Sequence, residues 1–318
     1  MNTDGWLGRP YYSLDAYLKN TYGEKLYKIA IDAGFTCPNR DGTLGYGGCI
    51  FCSAGGSGDF AVPVDSRLTV AAQLSQGIAL FGHKRTGQRF IAYFQAFTNT
   101  YGPVPTLRAL YTDALREPAV AGISIATRPD CLSPEIAAML NALQAQYPDK
   151  FIWIELGLQT AHDQTAKQIG RGYPLSVYDE CAALLHAHRI PFITHVILGL
   201  PGEIKEHMLF TIDHLNTTGT WGIKLQLLHV LKGTGLAEIY TRGDYEPLTQ
   251  EQYTALVIDC LEHLRPNTVI HRLTGDGPAA LLLAPRWSLD KRGVLNTLHH
   301  TMKLRGAHQG RLYTDQRL

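Results

Sequence analysis

The sequence lacks any apolar run that approaches the roughly 18 residues needed to span a membrane. Residues 1–10 also lack the charged and then apolar pattern of a secretory signal. We therefore expect a cytoplasmic protein with no membrane partner. The chain has only six cysteines in 318 residues, and the cytoplasm keeps thiols reduced, so no disulfide framework is expected. None of these features bears on the oligomeric state.

Charge is also scarce, because charged residues make up 18% of the chain and the net charge is only +1, while hydrophobic residues make up 45%. This composition is typical of a globular enzyme with a large core. The charge is uneven: residues 286–318 hold seven basic and two acidic residues, a net of +5, against a net of −4 for residues 1–285. We therefore divide the chain into a core domain, residues 1–285, and a basic C-terminal extension, residues 286–318. The extension is either a surface for a polyanion or a solvated helix with a frayed end.

Short β-rich segments alternate with amphipathic helical segments along the chain. The predicted strands are residues 28–33, 90–97, 121–127, 151–159, 192–199, 223–230 and 268–273. The predicted helices are residues 70–81, 106–116, 134–146, 176–188, 203–215 and 250–264. Repeated strand–helix order predicts parallel strands joined by right-handed crossovers. The expected fold class is α/β, a partial (βα)6-type, TIM-like parallel barrel with a C-terminal helical extension, although periodicity alone does not separate a barrel from an open sheet.

Several predicted strands carry polar residues on one face, where a fully buried parallel strand would be apolar on both. These residues are Gln95, Glu155, Gln159, His195, Lys224 and Gln226. If they converge on the barrel axis, that axis must hold water or a ligand, because polar groups buried without partners are costly. The alternative is a set of satisfied polar networks inside the core.

Three cysteines, Cys37, Cys49 and Cys52, cluster after the first predicted strand with the spacing C-x₁₁-C-x₂-C. Active sites of α/β barrels lie at that end of the strands. Structural zinc takes four closed ligands, and no fourth Cys or His follows at close range. An iron–sulfur cube with three protein thiolates keeps one iron open for an external ligand. The pattern favours an iron–sulfur cluster, with a three-thiolate zinc site or redox thiols as alternatives.

The cysteine motif resembles the widened motif of the YhcC/YtqA family of radical S-adenosylmethionine (SAM) proteins. That family is similar to the Elongator catalytic subunit and, more distantly, to oxygen-independent coproporphyrinogen oxidase. The resemblance continues in order along nearly the whole chain, at residues 127–130, 155–160, 171–172, 195–203, 228–233 and 271–278. The cysteine spacing departs from the usual C-x₃-C-x₂-C, and Tyr173 stands where a His is expected. The acetyltransferase domain of the Elongator subunit has no counterpart in this sequence, so acetyl-CoA chemistry is not implied.

The resemblance implies a radical SAM enzyme in which Cys37, Cys49 and Cys52 hold a [4Fe–4S] cluster and SAM is the second cofactor. In such enzymes the reduced cluster cleaves SAM to a 5′-deoxyadenosyl radical that abstracts a substrate hydrogen. A reducing electron donor such as flavodoxin or ferredoxin is then a required partner. The residues implied to contact SAM are Phe51, Gln95, Thr98, Asn99, Arg128, Glu155, Gln159, Gly199, Pro201 and Gly202.

Some of these residues also have a purely structural interpretation. Phe51 alternatively fills the core, and the segment containing Thr98 and Asn99 is typical of a turn. Arg128 either forks onto the carboxylate of SAM or pairs with Asp130.

Three functions from different classes follow. The leading hypothesis is tRNA modification at the wobble uridine, since the Elongator-like motifs and the basic extension both point to RNA. The extension residues expected to contact RNA are Lys303, Arg305, Arg311, Arg317 and Tyr313. The second is radical oxidation or decarboxylation of a small metabolite; Arg272 and Asp276 are expected to face the substrate or to hold the C-terminal segment. The third is a non-enzymatic iron–sulfur or zinc sensor or scaffold.

Overall fold

The computed structural model describes residues 4–56, 68–81, 87–275 and 277–314. Asp276 and Arg317 lie outside these residues. The strands are β1 (Tyr27–Ile31), β2 (Phe90–Phe94), β3 (Val120–Thr127), β4 (Phe151–Gln159), β5 (Phe192–Leu198), β6 (Gly222–Leu227), β7 (Val230–Leu231), β8 (Val269–Arg272) and β9 (Leu282–Ala284). The helices are α1 (Leu14–Tyr22), α2 (Val70–Phe81), α3 (Val104–Arg116), α4 (Pro134–Gln146), α5 (Asp163–Gln168), α6 (Leu175–Ala187), α7 (Lys205–Thr217), α8 (Gly235–Thr241), α9 (Gln250–His263) and α10 (Lys291–Arg305).

One parallel sheet organises the molecule, with its strands in the order β1-β2-β3-β4-β5-β6-β8. Helices follow most of the strands and pack on the outer face of the sheet, as the strand–helix alternation predicts. In the described part of the chain β1 and β8 do not pair with each other, so the sheet curls into an open, partial barrel. We call the gap between β1 and β8 the seam. The predicted fold class is confirmed, and all the predicted strand segments contribute to this sheet.

The second strand is shorter than predicted, because it ends at Phe94 and not at residue 97. The side-chain amide of Asn99 donates to the carbonyl oxygens of Phe94 (3.1 Å), Ala96 (3.0 Å) and Ala126 (3.1 Å). Phe97 has a φ of +58°, a left-handed conformation that a β-strand does not tolerate. Together these features turn the chain at the carboxyl end of the sheet.

The predicted strand at residues 223–230 is two strands in the structure. β6 ends at Leu227, and β7 pairs in an antiparallel ribbon with β9. The amide of Leu228 donates to the carbonyl oxygen of Leu198 (3.1 Å), which holds the turn between the two pieces. The ribbon therefore extends the wall of the barrel above its carboxyl rim.

The two ends of the barrel differ in chemistry. At the amino end, aromatic side chains pack closely: the Phe151 and Trp153 rings stack with their centroids 3.9 Å apart, and the Tyr17 and Trp221 rings meet edge to face with their centroids 4.9 Å apart. These rings form a dry plug, because aromatic side chains bury large apolar areas in specific geometries. Polar side chains occupy the interior above the plug, so the barrel opens towards its carboxyl rim.

The C-terminal segment packs onto the body of the protein. Helix α10 buries Val294, Leu298 and Met302 against the main core. Gln309 is completely buried; its side-chain amide donates to the carbonyl oxygens of Arg265 (2.7 Å) and Thr268 (2.8 Å) and its Oε1 accepts from the amide of Tyr12 (2.9 Å). The segment up to Gln309 is therefore held by core packing and is not a frayed end. No helix within the described ranges is both long and apolar enough to cross a lipid bilayer.

Candidate active site

The loop that carries the clustered cysteines leaves the carboxyl end of β1 and folds into consecutive tight turns. The amide of Arg40 donates to the Cys37 carbonyl oxygen (2.8 Å), and the amide of Cys52 donates to that of Cys49 (2.9 Å). Gly48 has a φ of +85°, and a Cβ there would lie 2.9 Å from Nε of Arg40. Glycine is needed at this position because both the backbone conformation and the close approach exclude a side chain.

Asn39 fixes this loop to the segment between α5 and α6. It is buried, and its side-chain amide donates to the carbonyl oxygens of Gly170 (2.8 Å) and Arg171 (3.2 Å). The same nitrogen lies 3.5 Å from Sγ of Cys49. A Cβ on Gly172 would lie 2.7 Å from Oδ1 of Asn39, so the Arg-Gly pair of the sequence leaves room for this contact. The sequence analysis missed Asn39, although its place two residues after Cys37 was visible.

The three clustered thiols line one cavity, which we call the rim cavity, of about 280 Å³. A hydrogen bond from Cys52 lowers the pKa of Cys49 to about 7 against the effect of burial, with help from Arg128 and Asn39. Burial and the same hydrogen bond raise the pKa of Cys52. Burial raises the pKa of Cys131 to about 12. The hydrogen bond from Cys52 therefore favours the thiolate of Cys49, which is the form that ligates a metal.

These thiols fit an iron–sulfur cluster better than a single metal ion. Within the described residues, no three Cys, His, Asp or Glu side chains are grouped closely enough to hold one ion. A zinc ion would need its thiolates about 2.3 Å from one centre. Cys37, Cys49 and Cys52 all line the rim cavity, and they are the residues that would hold a cube with three protein ligands and one open iron.

The carboxyl end of β2 supplies part of the opposite wall. Gln95, Phe97 and Thr98 line the rim cavity, and the guanidinium of Arg40 lies 5.5 Å from the centre of the Phe97 ring. Asn99 does not line it, because its amide is held by three backbone carbonyls behind the strand end. These contacts fit the turn that was the alternative for Asn99, and its contact with SAM stays a prediction.

Glu155 forms the centre of a charged network inside the barrel. It is 1% exposed. One carboxylate oxygen accepts from Lys28 and from Ser124 (2.7 Å). The other accepts from Lys224, from Tyr93 (2.9 Å) and from Nε2 of His195 (2.8 Å). Burial alone would raise the pKa of Glu155, but Lys224, Lys28 and His195 outweigh it and hold that pKa well below its usual value.

This network bears on the expected contact of Glu155 with SAM, which stays a prediction. A carboxylate has about four acceptor sites, and the five donors around Glu155 leave none for the hydroxyls of a ribose. Gln159, at the end of the same strand, also lines the rim cavity and has a φ of +66°. Its amide, oriented to donate, reaches the carbonyl oxygens of Gly157 (3.0 Å) and Leu158 (2.8 Å). Its own carbonyl oxygen is then the group that can accept from a ligand.

Arg128 also lines the rim cavity, but its guanidinium is engaged. Its Nε and Nη2 donate to the two carboxylate oxygens of Asp130, at 2.9 and 2.6 Å. The ring of Tyr173 lies under both Arg128 and Arg171, with guanidinium-to-centroid distances of 5.0 and 4.6 Å. Its hydroxyl donates to the carbonyl oxygen of Gly157. The tyrosine that departs from the family pattern thus supports two arginines beside the cysteines.

The turn after β5 does not reach the cavity. The rim cavity is lined by Ile197, Leu228 and His229, and not by Gly199, Pro201 or Gly202. The amide of Gly199 points to Sδ of Met208 (3.3 Å), and its carbonyl oxygen accepts from Tyr245 (2.8 Å). The expected contact of this turn with adenine stays a prediction. Phe51, between two of the cysteines, does line the cavity.

The sequence matches known proteins over nearly its whole length. Residues 37–215 match the Radical SAM superfamily, and residues 220–304 match the Radical_SAM C-terminal domain. The chain therefore belongs to the radical SAM superfamily. It is an enzyme whose cofactors are a [4Fe–4S] cluster and SAM, and enzymes of this class require an electron donor. The boundary between the two matched regions lies near residue 220, well before the division at residue 285 expected from charge.

Two relatives are similar over most of their length. YtqA of Bacillus subtilis (strain 168) is 42% identical over 304 residues, covering 95% of this chain and 92% of that protein. YhcC of Escherichia coli (strain K12) is 36% identical over 272 residues, covering 85% of each chain. The family resemblance seen in the sequence is confirmed by these matches.

More distant matches cover only part of each protein. The tRNA uridine(34) acetyltransferase of Dehalococcoides mccartyi (strain CBDB1) is 29% identical over 170 residues, which is 51% of this chain and 35% of that protein. The solved structure of Methanocaldococcus infernus Elp3 superposes with a TM-score of 0.65 at 15% identity, covering 90% of this chain and 64% of that one. At that identity the superposition bears on the fold alone, and it supports the partial barrel.

Proposed function

We propose that the rim cavity is where this chain binds its cluster and SAM. Cys37, Cys49 and Cys52 would hold the cluster, with Asn39 fixing the loop that presents them. When bound, the cluster and SAM together supply a 5′-deoxyadenosyl radical that removes a hydrogen atom from the substrate. Phe51, Gln95, Thr98 and Gln159 are the lining residues from the sequence analysis that we assign to SAM. Arg128 is held by Asp130, and we assign it to the electrostatic environment of Cys37, whose Sγ lies 3.9 Å from its Nη1.

The protein's own part in the reaction is to position the reactants and to keep stray hydrogen donors away. The loop turns, the Asn39 contacts and the ribbon of β7 and β9 enclose the cavity from above. The aromatic plug closes the barrel below. A radical formed between these two boundaries would meet the bound substrate before it meets bulk water.

We propose tRNA, at the wobble uridine, as the leading substrate, with flavodoxin or ferredoxin as the electron donor. The observation that supports this substrate is the match to a tRNA uridine(34) acetyltransferase across about half of this chain. The basic residues of the C-terminal segment support an RNA substrate less strongly in the structure than they do in the sequence. Arg305 lies 3.7 Å from Asp259, and Arg311 pairs with Glu262, so both guanidiniums already face carboxylates of α9.

A small metabolite is the second candidate, favoured by the barrel interior. The interior reached from the rim cavity is enclosed and lined by charged side chains of β1, β6 and β8. Such a space suits a compact ligand with a few convergent polar groups. An RNA base would have to leave its stack to enter it.

Mass spectrometry of tRNA nucleosides from cells with and without the gene separates these candidates. If tRNA is the substrate, a modified wobble uridine should disappear in the deletion strain and return with the wild-type gene. It should not return with the Cys49→Ala variant, which retains the barrel but lacks a cluster ligand. Identical nucleoside profiles in all strains would reject the tRNA assignment and leave the metabolite candidate.

A further inference from the structure

A second cavity of about 400 Å³ lies behind the rim cavity, at the seam between β1 and β8. We call it the seam cavity. Helices α1 and α2 contribute Leu14 and Gln73 to its walls. The side chains that line both cavities are Tyr93, Gln95, Lys224 and Arg272. A ligand in the seam cavity would therefore lie directly next to the space we assign to SAM.

Cations outnumber anions around this space. Lys28, Lys224 and Arg272 line it, whereas Glu155 is the one carboxylate among the described residues that line either cavity. Burial lowers the pKa of Lys224 well below its usual value, against the attraction of Glu155 and with added repulsion from Lys28 and Arg272. Even with Lys224 neutral, two cations would face one carboxylate. Counted over the described residues, the ligand-free interior thus keeps an uncompensated positive charge.

Arg272 carries that surplus charge. Lys28 and Lys224 both contact Glu155. Arg272, in contrast, has no hydrogen-bond or ion-pair partner in the described part of the chain. Arg272 is partly buried, and a partly buried guanidinium without a counter-charge is costly. An unpaired guanidinium is also unusual at the boundary between two cavities.

The local geometry of β8 directs a second unsatisfied group to the same place. Ile223 pairs with Ile270 but Lys224 pairs with Arg272, so His271 is an extra residue at a bulge. Bulges re-aim side chains, and both His271 and Arg272 line the seam cavity. The His271 ring packs edge-on against Trp153 and Trp221, and both of its ring nitrogens are buried without a hydrogen-bond partner among the described residues. A neutral imidazole has one N–H to donate.

We propose that the seam cavity binds an anionic group of the substrate, a carboxylate or a phosphate, on the guanidinium of Arg272, with His271 and Lys28 beside it. Guanidinium and carboxylate or phosphate form paired, charge-assisted hydrogen bonds, which would compensate the buried charge. The remainder of the substrate would extend past Tyr93 and Gln95 into the rim cavity, where its hydrogen is removed. The binding of an anion by Arg272 is inferred without the proposed function. Only the assignment of that anion to the substrate rests on the proposed function. The anion comes either from a small metabolite or from the backbone of an RNA nucleotide.

Binding of inorganic phosphate to the anaerobically reconstituted full chain, without SAM, tests this site directly. Phosphate added at constant ionic strength should raise the thermal midpoint in a saturable way. Arg272→Gln should weaken phosphate binding by about 10-fold or more, since it removes a charge-assisted pair. Arg272→Lys should retain part of the affinity. Arg108→Gln is the matched control, because Arg108 is exposed on α3, and it should bind phosphate like the wild type.

The variant should remain folded, and its stability is itself informative. Because Arg272 has no hydrogen-bond or ion-pair partner among the residues that the structure describes, the ligand-free Arg272→Gln protein should melt at or above the wild-type midpoint. A lower ligand-free midpoint for Arg272→Gln than for Arg108→Gln would show that Arg272 is a structural residue and would overturn the proposal. Equal phosphate affinity in the wild type and Arg272→Gln would overturn it as well.

Two further arms identify the anion. SAM binding, measured by equilibrium dialysis, should be unchanged in Arg272→Gln; a loss equal to the loss of phosphate binding would make the anion the carboxylate of SAM and overturn the substrate assignment. An anticodon stem–loop RNA that loses affinity in Arg272→Gln would place the site on an RNA phosphate. Unchanged RNA affinity beside weakened phosphate binding supports a small metabolite. These binding measurements do not depend on the nucleoside profiles. The anion site and the tRNA assignment can therefore be rejected independently of each other.

Discussion

The rim of the barrel and its interior are built in opposite ways. At the rim, main-chain turns, glycines and one buried amide hold three thiols along a loop of 16 residues. In the interior, side chains from β1, β2, β3, β4, β5 and β6 meet at the single carboxylate of Glu155. The fold of the rim loop is therefore held by backbone contacts, and it should survive the loss of a thiol. The interior is held together by electrostatic contacts that depend on the charge of Glu155. Substitutions should accordingly affect cofactor content at the rim and folding stability in the interior.

The largest expected effect is loss of the cluster when a rim thiol is removed. Cys37→Ala, Cys49→Ala or Cys52→Ala should abolish iron binding, because a cube with two protein ligands is not retained. Iron and sulfide should be measured after anaerobic reconstitution, with about four of each per chain expected in the wild type, as a [4Fe–4S] cluster requires. Far-ultraviolet circular dichroism should be unchanged, since the Asn39 contacts remain.

Cys131→Ala and Cys181→Ala provide the controls for that experiment. Burial raises the pKa of both thiols to about 12, and neither lines the rim cavity. Both variants should keep full iron content. Loss of iron in either control, or stoichiometric zinc in the anaerobically purified wild type, would refute the assignment of the three ligands.

The second effect is the loss of folding stability when the interior carboxylate is neutralised. Glu155→Gln keeps the shape of the side chain but leaves Lys28 and Lys224 without their counter-charge. Breaking a buried ion pair in this way costs about 3–5 kcal/mol. Urea unfolding should show this loss in Glu155→Gln, and Glu251→Gln, on the exposed start of α9, should change stability by less than about 0.5 kcal/mol.

A double variant shows whether the stability loss in Glu155→Gln arises from unpaired charges or from altered packing. If the cost arises from unpaired ammonium groups, adding Lys224→Met to Glu155→Gln should restore part of the stability. The two single effects would then not be additive, as expected for groups in contact. Equal stability losses in Glu155→Gln and Glu251→Gln would contradict the electrostatic description of the interior.

The same contrast explains what the sequence could predict. The alternation of strands and helices requires only local patterns, and helices α2 and α4 begin and end where the periodicity predicts. The cysteine loop is also local, so its three residues were visible as one motif. The polar strand faces did indicate a polar interior around Glu155, His195 and Lys224.

The partners within that interior could not be predicted, because they depend on the register between strands far apart in the chain. Lys28 and Glu155 are 127 positions apart, and Tyr93 looked like an ordinary core aromatic. A one-residue change in register would move each side chain to the other face of the sheet. The side chains near Asn99 and Gly199 could not be oriented from the sequence for a similar reason. Residues that follow a strand end point into a cavity or behind it according to the turn, and the turn depends on tertiary contacts.

The smallest effect concerns His195, whose protonation makes the folding stability of the protein depend on pH. Burial lowers the pKa of His195 from 6.5 to about 4, with repulsion from Lys224 adding to burial and Glu155 acting in the opposite direction. The folded protein thus keeps this imidazole neutral at a pH where the unfolded chain has already bound a proton. Unfolding takes up that proton between about pH 6.5 and pH 4, so His195 makes stability fall as the pH falls through this window. The full effect at the acid end is about 3 kcal/mol, from 1.36 kcal/mol for each pKa unit.

His195→Gln removes this titration while retaining a donor for Glu155, because the amide nitrogen of Gln reaches the position of Nε2. The free energy of unfolding should be measured by urea titration at intervals from pH 7.5 to pH 4.5, which stays above most carboxylate titrations. The wild type should lose stability towards pH 4.5 more steeply than His195→Gln, and the two curves should run parallel above pH 7. His300→Asn, on the exposed side of α10, should keep the wild-type slope. If His195→Gln keeps it too, His195 is not a neutral member of the network, and the surplus charge of the interior must be counted again with an imidazolium included.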